Sequence, residues 1–352
     1  MSQLFERVEV GEIAISNRIA MSPMTRNRAD ENGDPNDLMV EYYRQRNSFG
    51  LIITEGTSPS QVGKAYPLIP GIFTQAQVKG WKKVVDAVHS GPAKIFLQLM
   101  HSGRITHIST TGFQPHGPSA IKADGEIVTS AGTQTLEIPK EMDITEIAEA
   151  QESFVAAARN AIVAGFDGVE LHAANGYLIH QFLSPNANIR SDHYGGPPEN
   201  RIRFALEVVT RVIDAIGAGR LGIRISPNGS FNDIHETDVA ATYGLLIVAL
   251  NKLGLAYLHV ADQAGFDGIT FCRNLWNGVL IVNSGYGDKD KISTSKRLIE
   301  EGTADIFSFG RASLSNPDLP KRLKEGLALN LVDTKTFYSG EAKGYTDYPI
   351  AQ

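Results

Sequence analysis

Between Gly168 and Phe204 the chain reads GVELHAANGYLIHQFLSPNANIRSDHYGGPPENRIRF, and three polar side chains fall close together in it: His172, Asn175 and Tyr177. A neutral imidazole and an amide both donate hydrogen bonds, and two donors can serve both lone pairs of one carbonyl oxygen. Such a pair polarises the carbonyl and holds its oxygen better as negative charge develops there. A tyrosine O–H nearby can deliver a proton. The set suits a reaction that builds enolate-like charge and then quenches it. The plainer alternative is a core histidine, an asparagine turn and a packed tyrosine, all residue types common at strand ends.

The elements that must position this set follow from the apolar pattern. The three residues follow the apolar run Gly168–Leu171 and precede a helix marked by Ile202, Leu206, Val209 and Ile213 at helical spacing. A polar cluster at the C-terminal end of a strand, ahead of a helix, is where α/β proteins place their chemistry. Strands are expected at Ile19–Met24, Leu51–Gly56, Lys94–Met100, Gly168–Ala173, Leu221–Pro227, Tyr257–Asp262, Val279–Gly285 and Asp305–Gly310. Helical stretches lie between them, including Thr237–Leu253, Lys289–Glu301 and one opened by the capping-box pattern Asp143-Ile-Thr-Glu146 and closed near Gly165. Eight strands alternating with helices predict an α/β protein, a single (β/α)8 TIM barrel over residues 1–352. Leu4–Ile15 alternates loosely about Gly11 and Glu12 and predicts an N-terminal β-hairpin lid. Gly103–Glu141, rich in Gly, Thr and Pro, predicts a long irregular loop after strand 3, of the kind that covers a site.

Composition narrows the partners. With 42% hydrophobic residues in 352, the chain can bury a large core. A net charge of −6 without blocks of like charge favours neither nucleic acid nor an acidic membrane. The only cysteine, Cys272, excludes an internal disulfide and a thiolate-rich metal site. The start MSQLFERVEV has no secretory pattern and no apolar run approaches a membrane span, so a cytoplasmic protein is expected. Monomer and homodimer both remain open.

Alternation along Leu221–Pro227 turns Leu221, Ile223 and Ile225 to the helices and Gly222, Arg224 and Ser226 into the barrel. An inward arginine needs a partner: Glu170 on the neighbouring strand, or a cofactor at the mouth. The seventh strand runs out into Asn283, Ser284, Gly285, Tyr286 and Gly287, and the eighth into Phe309, Gly310 and Arg311. Barrels often bind phosphate between these two loops, where glycine amides approach the oxygens and an arginine fork completes the site. No P-loop and no G-x-G-x-x-G follows the first strand, which disfavours a Rossmann dehydrogenase.

The run H-A-A-N-G-Y-L-I-H-Q-F-L-S-P, followed by N-x-R-x-D-x-Y-G-G and E-N-R-x-R-F, resembles the old yellow enzyme family of FMN-dependent ene-reductases over nearly the whole chain. The resemblance implies bound FMN, NADPH or NADH as hydride donor, and a small electrophilic alkene as substrate. It implies Pro23, Met24 and Thr25 along the flavin edge, with the Thr25 hydroxyl beside N5. It puts Gly56 beneath the ring, Gln98 at the pyrimidine end, Arg224 near N1, and Ser284, Gly285, Gly310 and Arg311 at the phosphate. His172 and Asn175 would hold the substrate oxygen, Tyr177 would donate the proton, and Tyr66, Met100 and Tyr348 would line the pocket. The family often has tryptophan at the place of Met100, and methionine is thinner and more adaptable.

Three other readings compete with this one. A metal-dependent TIM-barrel hydrolase would use His101, His172 and Asp262, but it leaves Asn175 and Tyr177 without a role. A nucleotide oxidoreductase using Cys272 lacks a nearby base. A flavin store or sensor would need no proton donor.

Overall fold

A computed structural model describes residues 2–285, 288 and 290–351. The expected positions Tyr286, Gly287 and Lys289 lie outside the described residues. Eight parallel strands form a closed barrel: β1 (Ile19–Met21), β2 (Leu51–Ile53), β3 (Lys94–Leu99), β4 (Gly168–Ala173), β5 (Leu221–Ile225), β6 (Tyr257–Ala261), β7 (Leu280–Asn283) and β8 (Ile306–Phe309). Each expected strand is present, and most are shorter than expected at their C-terminal ends.

Strands buried on both faces read as continuous apolar runs, which is why they were legible. Leu221, Ile223 and Ile225 join the large cluster between barrel and helices. The helix Ile144–Ala164 starts at the expected capping box, with Asp143 and Glu146 each accepting the other's backbone N–H, and ends on Gly165 at φ 97°. The helix Arg203–Ile216 buries Phe204, Ala205, Val208, Val209 and Val212, while Leu206 and Ile213 flank that stripe partly buried.

The N-terminal hairpin pairs Val8–Val10 with Ile13–Ile15 through Gly11. Val10 and Ile15 pack on Leu51, Tyr257, Ile281 and Ile306. These residues lie at the N-terminal ends of barrel strands, so the hairpin closes the end opposite the chemistry. Inside, the Tyr257 ring fills the space beside Gly222, where a Cβ would stand 2.2 Å from it.

The segment Gly103–Glu141 is more regular than its composition suggests. It carries a short helix (Ile108–Thr111), an antiparallel hairpin (Glu126–Thr129 with Gly132–Thr135), and a parallel pairing of His116–Gly117 with Lys140–Glu141. Gly132, at φ 97°, permits the tight turn. Ile105, Ala123, Ile127 and Leu136 of this segment pack in one cluster with Met100 and Tyr177, with Tyr66 against it. The long loop is thus a cover over the candidate site.

Candidate active site

Strand register sets the layers inside the barrel. Gln98, Glu170, Gly222 and Tyr257 lie side by side across β3 to β6, and His172, Arg224 and His259 lie side by side across β4 to β6. Glu170 is fully buried; it accepts from Gln98 Nε2 at 2.8 Å and from the His259 ring at 2.8 Å. Burial opposes its charge, but His259 and then Arg224 overcome that and hold the carboxyl below its usual range. Glu170 is therefore an electrostatic partner of Arg224, one of the two expected, while its hydrogen bonds go to Gln98 and His259.

His172 is 6% exposed. Its Nδ1 accepts the Ala174 N–H at 3.3 Å, which leaves the proton on Nε2. Burial first, and the Arg224 charge beside it second, push its pKa well down. The imidazole is neutral at physiological pH with a single N–H to offer.

Asn175 sits at φ 55° and Gly176 at φ 76°, a left-handed pair that swings the chain from β4 into the helix Leu178–Leu183. The Asn175 N–H donates to Ser226 Oγ at 3.0 Å and Gly176 N–H to His180 Nδ1 at 3.0 Å. This turn brings Tyr177 back over the strand end, with its ring 5.0 Å from that of His172 in an edge arrangement. Tyr177 is 6% exposed, and its hydroxyl lies 3.1 Å from that of Tyr66. Burial, then Tyr66, raise its pKa well above the ordinary phenol value, so the hydroxyl is protonated at physiological pH.

The remaining expected residues surround this group. A Cβ on Gly56 would meet Met100 Sδ at 2.6 Å, so the methionine lies directly on that glycine. Met24 Sδ approaches Gly310, linking the ends of β1 and β8. Thr25 is anchored through its neighbour, because Arg26 N–H donates to Glu55 Oε2 at 3.1 Å. At the ends of β7 and β8, Ser284 Oγ donates to Asp288 at 2.6 Å and accepts from Lys291 Nζ at 3.2 Å; Lys291 also reaches the Gly285 carbonyl. Burial lowers the Lys291 pKa; Asp288 opposes this and the nearby Arg311 adds to it. Two cations close enough to repel each other suit an anion.

Tyr348 stands apart from this group: its hydroxyl accepts the Asp333 N–H at 2.9 Å. The C-terminal tyrosine whose field reaches both Tyr66 and Tyr177 is Tyr338, which is 62% exposed. Its segment is stapled back by Arg26 and Arg28, whose guanidinium groups donate to the carbonyls of Phe337, Thr336 and Gly344, and of Phe337, Thr336 and Ser339, respectively. Sequence reasoning missed Tyr338, Lys291 and Asn232, whose Nδ2 donates to the Asn175 carbonyl at 2.8 Å. These contacts join distant segments and leave no local pattern.

The rival readings find other uses for their residues. His101 Nδ1 accepts the Gly103 N–H at 3.1 Å, and burial takes its pKa down to about 3. Burial pushes the Cys272 thiol up to about 12, far from a reactive thiolate.

An FMN group fits what lines this mouth. An inward guanidinium from β5 suits the negative charge of a reduced ring, Gly310 leaves room at the end of β8, and two cations at β7 and β8 suit a phosphate.

A parallel barrel that presents such a set at the C-terminal ends of its strands defines a flavin-dependent oxidoreductase. The chain belongs to the NADH:flavin oxidoreductase / NADH oxidase family, whose model matches residues 3–330, and its cofactor is FMN. It is 39% identical over 356 residues to 12-oxophytodienoate reductase 1 of Oryza sativa subsp. japonica, covering 98% of this chain and 92% of that protein. It is 42% identical over 355 residues to a probable flavin mononucleotide-dependent alkene reductase of Leishmania infantum, covering 97% and 95%. The solved old yellow enzyme homologue from Zymomonas mobilis superposes with a TM-score of 0.95 at 38% identity, covering 99% of this chain and 100% of that one. Morphinone reductase in complex with tetrahydroNAD superposes with a TM-score of 0.95 at 39% identity, covering 100% and 98%. Among the described residues, no helix is long and apolar enough to cross a membrane.

Proposed function

We propose that the protein reduces the C=C bond of electron-poor alkenes such as enones, enals, maleimides and nitroalkenes, with NADH or NADPH as the electron source. The observation that carries this reading is the closeness of a neutral, Nε2-protonated His172 to a tyrosine that keeps its proton. When bound, FMN supplies the hydride that reaches the β-carbon of the alkene.

His172 Nε2–H and the Asn175 amide donate to the substrate's carbonyl or nitro oxygen and hold it as charge accumulates. A protonated imidazole would be a stronger donor, but it would also risk surrendering its proton to the enolate oxygen. Burial, with the Arg224 charge beside it, keeps His172 neutral, so the proton comes from Tyr177 and goes to the α-carbon. Pro23, Met24, Thr25, Gly56, Gln98 and Arg224 hold the flavin ring; Ser284, Gly285, Gly310 and Arg311, joined by Lys291, hold its phosphate. Tyr66, Met100 and Tyr338 line the substrate pocket under the cover formed by Ile105, Ala123, Ile127 and Leu136. That wall is apolar and excludes water from the developing charge.

Anaerobic single-turnover kinetics test the reading. Tyr177→Phe is expected to slow alkene reduction by about a hundredfold or more, the usual size of a general-acid contribution, while reduction of the flavin by NADH is retained. Equal losses in both half-reactions would remove Tyr177 from the proton-donor role.

A further inference from the structure

The segment that follows β5 meets the Asn175–Tyr177 turn backbone to backbone. A Cβ on Gly176 would stand 2.6 Å from the Phe231 carbonyl oxygen and 2.7 Å from Asn232 Cβ. Asn232 is at φ 58°, a left-handed conformation that asparagine tolerates better than most residues. Its Nδ2 donates to the Asn175 carbonyl at 2.8 Å. A carbonyl only accepts, so this bond fixes which end of the Asn232 amide is nitrogen. The same amide lies near enough to the Tyr177 hydroxyl to favour negative charge on that oxygen.

The segment is itself rigidly held. The Asp233 carbonyl accepts from Arg104 Nη2 at 2.7 Å and from Asn186 Nδ2 at 2.8 Å, and Asp233 Oδ2 accepts from Asp124 N–H at 3.2 Å. Glu236 accepts the Asn228 N–H at 2.9 Å and lies 3.3 Å from His180. Asn232 therefore stands on a frame fixed to the cover, to β4 and to the helix Leu178–Leu183.

We propose that Asn232 is the positioning residue of the proton donor: its amide occupies a lone pair of the Tyr177 oxygen, aims the O–H into the pocket, and stabilises that oxygen as the proton leaves. The inference rests on Tyr177 being the donor. In the step it serves, the Tyr177 O–H bond breaks and a C–H bond forms at the substrate's α-carbon. The enolate's electron pair makes the new bond, and the pair of the broken bond stays on the phenol oxygen. Negative charge thus moves from the substrate oxygen to Tyr177, where the Asn232 amide and the Tyr66 hydroxyl both donate to it. Solvent then reprotonates the phenolate.

Asn232→Asp and Asn232→Gly are the variants to use, because both accept a left-handed backbone. The first replaces the donor by an acceptor of the same shape, and the second removes it. With FMN-loaded enzyme under anaerobic conditions, both are expected to slow reduction of 2-cyclohexenone by about ten- to a hundredfold, the range for a hydrogen bond to a charged group. The solvent deuterium isotope effect on that step should rise, while reduction by NADH keeps its rate. In a Tyr177→Phe background Asn232→Asp should add no further loss. Equal slowing of both half-reactions, or a full additive loss in that background, would overturn the inference and leave Asn232 as a scaffold residue. If Tyr177→Phe alone spares alkene reduction, the donor assignment fails first and the role of Asn232 falls with it.

Discussion

The hydroxyl of Tyr66, from the loop after β2, lies 3.1 Å from the hydroxyl of Tyr177, from the turn after β4. Two phenols from different strand ends thus share one hydrogen bond at the centre of the site. With Tyr66 donating, the Tyr177 proton is left for the pocket. Tyr66→Phe should therefore slow alkene reduction by several-fold, roughly the worth of one neutral hydrogen bond, and less than Tyr177→Phe does. A Tyr66→Phe enzyme slower than Tyr177→Phe in single-turnover alkene reduction would reverse the two roles.

Lys291 gives a test confined to the phosphate. Its ammonium group, beside Ser284 and Gly285 and within the field of Arg311, should contribute to FMN affinity through the phosphate alone. Lys291→Met is expected to weaken FMN binding by about tenfold or more, as for a charge-assisted hydrogen bond, and to leave riboflavin binding unchanged. Equilibrium titration with both flavins checks this; equal weakening of the two would place Lys291 outside the phosphate site.

Gly56 and Met100 form a second matched pair. In Gly56→Ala the new methyl would meet Met100 Sδ and Cε at 2.6 and 2.9 Å, so the methionine must move into the pocket. We expect a loss of about 1–3 kcal/mol, typical of overpacking, and a raised KM for the alkene. Adding Met100→Ala should restore part of both. Thermal unfolding and steady-state kinetics of the single and double variants read this out, and strict additivity would contradict the packing argument.

Glu55 links stability to pH. It is buried between Arg26 N–H and the Tyr43 hydroxyl, and burial pushes its carboxyl up to about 7. The folded state binds this proton more tightly than the unfolded one. Its contribution to stability is therefore present below the ordinary glutamate pKa and is lost as pH rises through 7. Glu55→Gln removes that dependence. The variant should match the wild type near pH 5 and gain relative to it by about 3 kcal/mol near pH 8, from the pKa shift at 1.36 kcal/mol per unit. Denaturant unfolding at both pH values measures the difference, and a gap that does not grow with pH would refute the assignment.

The barrel was legible because most strands are predominantly apolar runs, as in Leu51–Ile53. The expected C-terminal limits overran for a physical reason. Ser22 and Thr54 still donate to the neighbouring strands, but Pro23 and Met24, Glu55 and Gly56, and Ser284 and Gly285 lie beyond the regular strands, where the candidate site begins. The candidate polar group was legible because His172, Asn175 and Tyr177 lie within six residues of one another. Its supports were not. Asn232 meets Asn175 from 57 residues away and Arg26 meets Phe337 from 311 away. Tyr338, carried by that stapled segment, is the C-terminal tyrosine whose field reaches Tyr177, while the Tyr348 hydroxyl accepts the Asp333 N–H. No periodicity or spacing encodes pairings of that range.

The central claim is that this barrel passes electrons from a nicotinamide to an alkene through bound FMN. The visible absorption spectrum of the purified protein, recorded anaerobically before and after NADH and then after 2-cyclohexenone, tests it most directly. The account predicts flavin bands that bleach with NADH and return in full with the enone. A protein that cannot be loaded with FMN, or whose bleached flavin is not reoxidised by any electron-poor alkene, would contradict it.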